Sequence, residues 1–331
     1  MKLKFMTWNV ENLFPVNVEA GPKTQEAYNA KLAAVVKTIK TLNPAVLALQ
    51  EIGDLATVAM PRPLTDLLAR LEVYDAVVSK AFGDRGIRVA VLTRRDLVVE
   101  AEAEVFALDA RPPLRFQGMD GEPLTTMSRG AVCVRLDVQG RRIHVLTAHL
   151  KSKLLTYPNH RFNPIDEDER VRAGALALSR RTAEAATLRL AVTKLLATGD
   201  DLVLMGDLND GADAQTTELL YGPGGSQPPG KGFDTHDVGD PQRLFNVTRL
   251  IAPERRYSRV FEGKKELIDH ILMSAGFFPQ VDAAHKRQAV TVDSHVDYAG
   301  DGLDSVNDDP SARRGRPSSD HAPVTAEVEL P

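Results

Sequence analysis

The chain is poor in the residues and runs that mark several broad protein classes. It has one cysteine, Cys133, in 331 residues, which excludes an internal disulfide and any thiolate zinc cage. That cysteine lies in Val132–Cys133–Val134 and is expected to be a buried, inert core residue. Aromatic residues make up 5%, and no segment gathers them into an apolar hairpin suited to a lipid interface. No uninterrupted apolar stretch reaches membrane-span length. The N-terminus runs directly into a strand pattern at Leu3, without a charged stretch and a long apolar segment, so no secretory leader is expected. A soluble, cytoplasmic protein is the expectation, with a monomer as the default. Neither sign of charge dominates. Lys and Arg number 41 against 45 Asp and Glu, a net charge of −4, so the chain has no global attraction to a polyanion or an anionic membrane. Any grip on nucleic acid must be local.

What is present is a 43% hydrophobic fraction, enough for a large core. The runs Leu3 to Val10, Ala45 to Leu49, Ile143 to Ala148 and Leu202 to Met205 read as buried strands. Gln25 to Leu42 carries Leu32, Val35, Val36 and Ile39 at helical spacing, and Asn43–Pro44 stops it. A second helix is expected over Leu64 to Leu71. Asp75 to Val78, Ile87 to Thr93 and Leu97 to Val105 read as strands. A Pro/Gly-rich loop covers Arg111 to Gly121. Gly130 to Val138 and Arg142 to His149 form a hairpin through Gln139–Gly140. The acidic run Asp166–Glu167–Asp168–Glu169 suits the first turn of a long helix, where the macrodipole is positive, and that helix continues towards Leu196. Long loops fill much of the C-terminal half: Gly211 to Gln242, Ala252 to Gly263 and Tyr298 to Ser319. Loops of this length are functional or disordered, and each adjoins a polar cluster, which favours function. No repeat and no linker composition interrupts the chain, so one domain over residues 1–331 is expected.

Short polar clusters follow the apolar runs. They are Asn9–Val10–Glu11, Gln50–Glu51, His149–Leu150–Lys151, Asp207–Leu208–Asn209 and Asp320–His321, with Ile268–Asp269–His270 behind them. Placed at strand exits, they put reactive groups on one rim of a rigid scaffold. Singly, each has a bland reading: Glu51 as a solvated loop residue, His149 as a hydrogen-bonded structural histidine. Asp269 is different, because it sits within Leu267–Ile268–Asp269–His270–Ile271–Leu272 and a buried charge needs a partner. Strand alternation puts Asn9 with Glu11, Asp207 with Asn209, and Thr147 with His149 and Lys151. A hard cation such as Mg²⁺ takes oxygen ligands. Glu51 and Asp320 fit as carboxylates and Asn9 as an amide oxygen. Asp207 and Asn209 suit the attacking water or the phosphate, and Asp269 with His321 suits a carboxylate-held base.

Together the residues Trp8–Asn9–Val10–Glu11–Asn12, Leu49–Gln50–Glu51, His149–Leu150–Lys151–Ser152, Gly206–Asp207–Leu208–Asn209, Ile268–Asp269–His270 and Ser319–Asp320–His321 resemble the endonuclease/exonuclease/phosphatase superfamily, in its order and over nearly the whole chain. The resemblance implies a four-layer α/β sandwich of two mixed, mostly antiparallel sheets packed face to face with helices outside. It implies Mg²⁺ or Mn²⁺ on Glu51, with Asn9 and Asp320 nearby, and Asp207 positioning or activating water. It implies Asn209 and His149 on the scissile phosphate, and His321, paired with Asp269, as base or as charged phosphate clamp. Arg129, in Ser128–Arg129–Gly130–Ala131, stands where members can carry a phosphate-contacting residue. An ordinary surface arginine is an equal reading of it.

Two departures bear on substrate. His149 stands where apurinic endonucleases carry a tyrosine, and the segment from Leu154 to Leu196 is longer than compact members need. Its helix carries Arg180 and Arg181, candidates for nucleic-acid contact against the simpler reading of a solvated face. The phrase Glu254–Arg255–Arg256–Tyr257–Ser258 before Glu266 is similar to bacterial nuclease-like members. Gly206–Asp207–Leu208–Asn209–Asp210 also fits a two-metal phosphatase signature, but the early Asp-x-His and late Gly-Asn-His of that site do not occur. A non-catalytic binding module would have lost metal or base residues, and Glu51, Asp207, Asn209, Asp269, Asp320 and His321 all remain. Inositol-phosphate and phospholipid substrates would bring segments that are absent. Phosphodiester cleavage, in nucleic acid by elimination, is the expectation, with phosphomonoester hydrolysis as the alternative.

Overall fold

The structure, a computed structural model, describes all residues except 17, 19, 20, 55–58, 84, 85, 110–115, 119, 120, 156, 158–160, 162, 280–286, 289, 301, 308, 310, 311 and 331. Part of the expected loop from Arg111 to Gly121 therefore lies outside the described residues. In chain order the elements are β1 (Lys2–Leu13), α1 (Gln25–Leu42), β2 (Val46–Gly53), α2 (Arg62–Leu71), β3 (Tyr74–Val78), β4 (Ile87–Arg94) and β5 (Val98–Ala107). Then come β6 (Phe116–Gln117), β7 (Pro123–Leu124), β8 (Thr126–Val138), β9 (Arg141–His149), α3 (Glu167–Leu196), β10 (Asp201–Asp207) and α4 (Gln215–Tyr221). The C-terminal part adds β11 (Leu244–Asn246), β12 (Arg259–Phe261), β13 (Lys264–Glu266), β14 (Asp269–Ser274), β15 (Thr291–Ser294), β16 (Ser305–Val306) and β17 (Val324–Glu329).

Two six-stranded sheets carry the fold, in the orders β15-β17-β1-β2-β4-β3 and β11-β14-β10-β9-β8-β5. Each holds one parallel pair, β1 with β2 and β9 with β10. All other neighbours in them run antiparallel. A three-stranded sheet, β13-β12-β16, stands apart. Strand alternation explains the layering. Leu3 and Phe5 of β1 and Val46 and Ala48 of β2 pack against Val145, Val203 and Met205 of the other sheet. The alternate residues Met6, Trp8, Leu47 and Leu49 face Leu32 and Val35 of α1 and Leu64 and Leu67 of α2. On the far side, Leu146, Ala148, Leu202 and Leu204 face Leu188 and Val192 of α3 and Leu220 of α4. Three apolar interfaces thus separate four layers: helices, sheet, sheet, helices. Each large side chain buried there contributes about 1.5–3 kcal/mol, so the strand ends are anchored from below.

The helix ends follow their sequence signals. Thr24 accepts from the Ala27 N–H at the start of α1, and Asn43 ends that helix in the left-handed region. Asp166 caps α3 by accepting from the Glu169 N–H, with Glu167, Asp168 and Glu169 in its first turn. The expected long loops are partly structured: α4 lies within Gly211 to Gln242, β12 within Ala252 to Gly263 and β16 within Tyr298 to Ser319. Cys133 is buried, and no described helix is long and apolar enough to cross a membrane.

Candidate active site

Residue type changes in a fixed order along the face between the two sheets. On β1 it runs Phe5, Thr7, Asn9; on β2, Ala48, Gln50; on β9, Val145, Thr147, His149; on β10, Met205, Asp207. All of these are buried. The antiparallel β14 begins at the same level with Asp269 and continues into Ile271. An amide–hydroxyl layer therefore lies between the apolar core and the charged groups. Gln50 Nε2 spans the two sheets, donating to Thr147 Oγ1 at 3.1 Å and Thr7 Oγ1 at 3.2 Å. This satisfied network holds the charged layer above it at a defined height. Close approach of β9 and β10 is part of the same geometry: a Cβ on Gly206 would stand 2.0 Å from the Ala148 carbonyl oxygen.

Alternation alone would send Glu51 to the helix side of its sheet. Instead β2 carries a bulge between Gln50 and Ile52, and Glu51 adopts φ 62°. The extra residue turns the carboxylate into the site. Glu11 and Asn12 (both φ 49°) and Asn209 (φ 54°) are also left-handed, and β1 shifts register between Asn9 and Leu13. Non-glycine residues held in this region gather at functional sites.

The charged layer is tightly connected. Asn9 Nδ2 donates to Asp207 Oδ2 at 3.0 Å and to Glu51 Oε1 at 3.2 Å. His149 Nε2 lies 3.4 Å from Asp207 Oδ2 and 4.0 Å from Glu51 Oε1. His321 Nδ1 donates to Asp269 Oδ2 at 2.7 Å. Its Nε2 lies 3.9 Å from Asp207 Oδ2 and 4.0 Å from Asp320 Oδ1. The backbone at Asp269 is pinned: the Ile268 and Asp269 N–H groups both donate to Ser258 Oγ at 3.2 Å. Ser319 Oγ donates to the Asn9 carbonyl at 2.7 Å and accepts from the His321 N–H. Leu150 O receives Asn209 Nδ2 at 2.9 Å and Arg129 Nη1 at 3.0 Å. Asn9, Glu51, Arg129, His149, Asp207, Asn209, Asp320 and His321 all line one cleft of about 530 Å³, while Asp269 stands behind His321.

The electrostatics follow from crowding in a dry place. Burial, then the charges of Asp269 and Glu51, push Asp207 up to about 7, against the pull of His321 and the Asn9 amide. Burial opposes the charge on His321, but Asp269 and Asp320 outweigh it and hold the imidazole up at about 10. Burial also opposes the Asp320 carboxylate, yet His321, Arg259, Arg313 and Lys31 keep it low.

Several expectations need correction. Asn9 was expected to offer its amide oxygen to a cation. That oxygen accepts the Glu11 N–H at 2.9 Å, and the amide nitrogen faces the carboxylates, so Asn9 bridges Glu51 and Asp207. Lys151 does not share the His149 face, because β9 ends at His149; its ammonium turns back to the carbonyls of Ser152 and Leu154. Arg181 is not on a polyanion-facing surface: it is 5% exposed and bound to Asp210 and the Lys151 carbonyl. Arg180 is half-buried, 3.5 Å from the fully buried Glu184 carboxylate, and does not line the cleft. His270 points away from the cluster, with Nε2 on the Asp210 carbonyl and Nδ1 beside Asn246 and Thr248. Thr147 does share the His149 face, as alternation implied. Other residues went unmarked in the sequence. Thr7 was findable two positions before Asn9. Arg259, whose Nε lies 3.3 Å from Asp320, and Glu184 had no local signal.

The model of the Endonuclease/Exonuclease/phosphatase family matches residues 6–321. No curated protein matches the sequence. Among solved structures, truncated TDP2 of Caenorhabditis elegans is 16% identical, with TM-score 0.56, over 100% of this chain and 98% of that one. The human Nocturnin catalytic domain with bound sulfate is 15% identical, with TM-score 0.55, over 100% and 95%. A functionally unknown conserved protein from Enterococcus faecalis is 16% identical, with TM-score 0.56, over 99% and 100%. At these identities the structural likeness speaks for the fold.

Proposed function

The chain belongs to the Endonuclease/Exonuclease/phosphatase family, whose enzymes hydrolyse phosphate esters and depend on divalent cations, and on that premise we propose that it is a Mg²⁺- or Mn²⁺-dependent phosphodiesterase acting on nucleic acid. The observation that carries the reading is the buried array in which Asn9 links Asp207 to Glu51 while Asp207 stands beside His149 and His321.

The donor set fits a hard cation. Its groups are carboxylates with no thiolate, burial and then their crowding raise Asp207, and a cation relieves such crowding. Asp207, Asp269 and His321 place ligand atoms within 4.8 Å of one another. That trio, however, is closed on itself by the Asp269–His321 hydrogen bond. Glu51, at 15% side-chain exposure, is open to the cleft, so Glu51 and Asp320 are the better holders. When bound, the cation polarises a phosphoryl oxygen as a Lewis acid.

Hydrolysis further needs a positioned water, stabilisation of the pentacoordinate charge and help for the leaving oxygen. Asp207, buried and poised near neutrality, orients the water and takes its proton. His321, held cationic by Asp269, clamps the phosphate oxygens with Nε2 as the water oxygen bonds to phosphorus and the P–O ester bond breaks, the leaving oxygen taking its proton from solvent. His149, Asn209 and Arg129 flank the same phosphate. Contact with a polyanion falls to exposed cations at the cleft, Lys153 and Arg316, in place of Arg180 and Arg181.

The test is hydrolysis of bis-p-nitrophenyl phosphate, p-nitrophenyl phosphate, plasmid, single-stranded DNA and RNA with Mg²⁺, Mn²⁺ or EDTA. Diester and nucleic-acid cleavage that EDTA abolishes is expected. Full activity in EDTA would overturn the metal assignment, and release of phosphate from monoesters alone would overturn the substrate class.

A further inference from the structure

The helix whose arginines were candidates for nucleic-acid contact, or else part of a solvated face, grips the backbone beside the cleft. Glu184 of α3 is fully buried. Its Oε1 accepts from the Ser128 N–H and from Ser128 Oγ, both at 2.6 Å, and its Oε2 accepts from the Lys151 N–H at 2.6 Å. One turn away, Arg181 Nη1 donates to the Lys151 carbonyl at 3.0 Å and Nε to Asp210 Oδ2 at 3.1 Å. Two charged side chains of one helix thus hold both backbone polar groups of Lys151.

The anchored residues are the immediate supports of the phosphate-facing side chains. Ser128 precedes Arg129, Asp210 follows Asn209, and Lys151 lies two residues past His149. Between the anchors, Leu150 O receives both Arg129 Nη1 and Asn209 Nδ2. Charge at this depth is costly as mere packing, since well-packed apolar groups often serve stability as well or better. The three donors converging on one carboxylate make sense as a device for fixing geometry.

We propose that Glu184, assisted by Arg181, is a positioning residue that sets Arg129, His149 and Asn209 at the distance the scissile phosphate requires. This rests on the phosphodiesterase reading above. In Glu184→Gln the amide nitrogen opposes the Lys151 N–H or the Ser128 donors, so the carboxylate's triple acceptance is broken. Displacements on the order of 1 Å at a reacting centre cost roughly 100-fold in rate.

The experiment compares wild type, Glu184→Gln, Glu184→Asp, Ser128→Ala, Arg129→Ala and the double variant Glu184→Gln with Arg129→Ala. It records kcat and KM for bis-p-nitrophenyl phosphate, the Mg²⁺ activation constant, thermal unfolding, and calorimetric affinity for inorganic phosphate. For folded Glu184→Gln, kcat should fall about 10- to 100-fold and phosphate should bind more weakly. The Mg²⁺ activation constant should hold, because Glu51 and Asp320 are untouched. Arg129→Ala should cost much less in the Glu184→Gln background than alone, because residues acting as a unit are non-additive. Ser128→Ala removes one donor and keeps the carboxylate, so a smaller loss in the same direction is expected even if both Glu184 variants fail to fold. Multiplicative losses overturn the proposal, as do wild-type kcat and phosphate affinity in folded Glu184→Gln, or in Ser128→Ala where neither Glu184 variant folds. Wild type that binds phosphate but hydrolyses no diester sinks the phosphodiesterase reading instead, and Glu184 is then judged on phosphate affinity alone. Wild type that does neither removes both.

Discussion

The side chains that meet at the cleft are held in two ways. In one set, Glu51, Asp207 and Asp269 stand on strands, where alternation or a bulge aims them, and Asp320 and His321 lie just before β17. In the other, Arg129, His149 and Asn209 sit on backbone whose supports come from α3, with Glu184 reaching 56 residues to Ser128 and 33 to Lys151. The chemical groups of both sets are written in short polar words after apolar runs or beside strands. The support of the second set comes from a helix face that no such word announces. A side chain's chemistry can be read locally; what holds it still often cannot.

The sharpest break in the comparison would come from the carboxylate set. His321→Ala and Asp269→Ala should each lower kcat by about 10²- to 10⁴-fold. The double variant should be little worse than either single one, as the 2.7 Å contact implies. Strictly multiplicative rate losses would separate the two residues. Next in size, Glu51→Gln should raise the Mg²⁺ concentration for half-activation by roughly tenfold or more, whereas Asp207→Asn should lower turnover at saturating Mg²⁺. Overlapping metal titrations for Glu51→Gln and wild type would remove Glu51 from the ligand set.

A smaller effect tests where a nucleic acid lies. Lys153→Ala with Arg316→Ala should raise KM for nucleic acid and reduce its logarithmic salt slope by roughly 0.7–0.9 for each phosphate left unneutralised. Exposed Arg172, on α3 outside the cleft, should change neither when replaced by Ala. Equal salt slopes in both variants would dismiss the rim cations.

The smallest effect contrasts two histidines through stability. Burial lowers His270 below its ordinary 6.5, so the unfolded chain binds the extra proton. Its contribution is full above about pH 6.5 and declines as pH falls below that value towards the lowered folded one. His321, raised to about 10, has the opposite sign: its contribution is full below about 6.5 and is lost as pH rises towards 10. Urea midpoints from pH 5 to 9 should therefore fall less on the acid side for His270→Asn than for wild type. Parallel acid limbs would mean that His270 carries no such linkage.

Much of this was legible from residues alone. Apolar runs in Leu3 to Val10, Ile143 to Ala148 and Leu202 to Met205 marked the strands, and the polar words after them marked the side chains that gather at the cleft. Boundaries were less visible. β2 runs on to Gly53 and carries Gln50 and Glu51 inside it, because a bulge breaks the alternation that defines a strand by eye. Arg181 was misplaced because an arginine on a helix looks solvated until Asp210 and the Lys151 carbonyl meet it.

The sequence by itself determined which residues alternate, where apolar runs give way to polar ones, and which chemical groups stand at those exits, since each follows from backbone geometry over a few residues. Only the tertiary structure decided that Glu51 turns inward, that Asn9 presents its nitrogen to the carboxylates, and that Glu184 and Arg181 brace the backbone beside Arg129, His149 and Asn209. Those outcomes depend on hydrogen-bond partners tens to hundreds of residues away, and a buried polar group is costly without one.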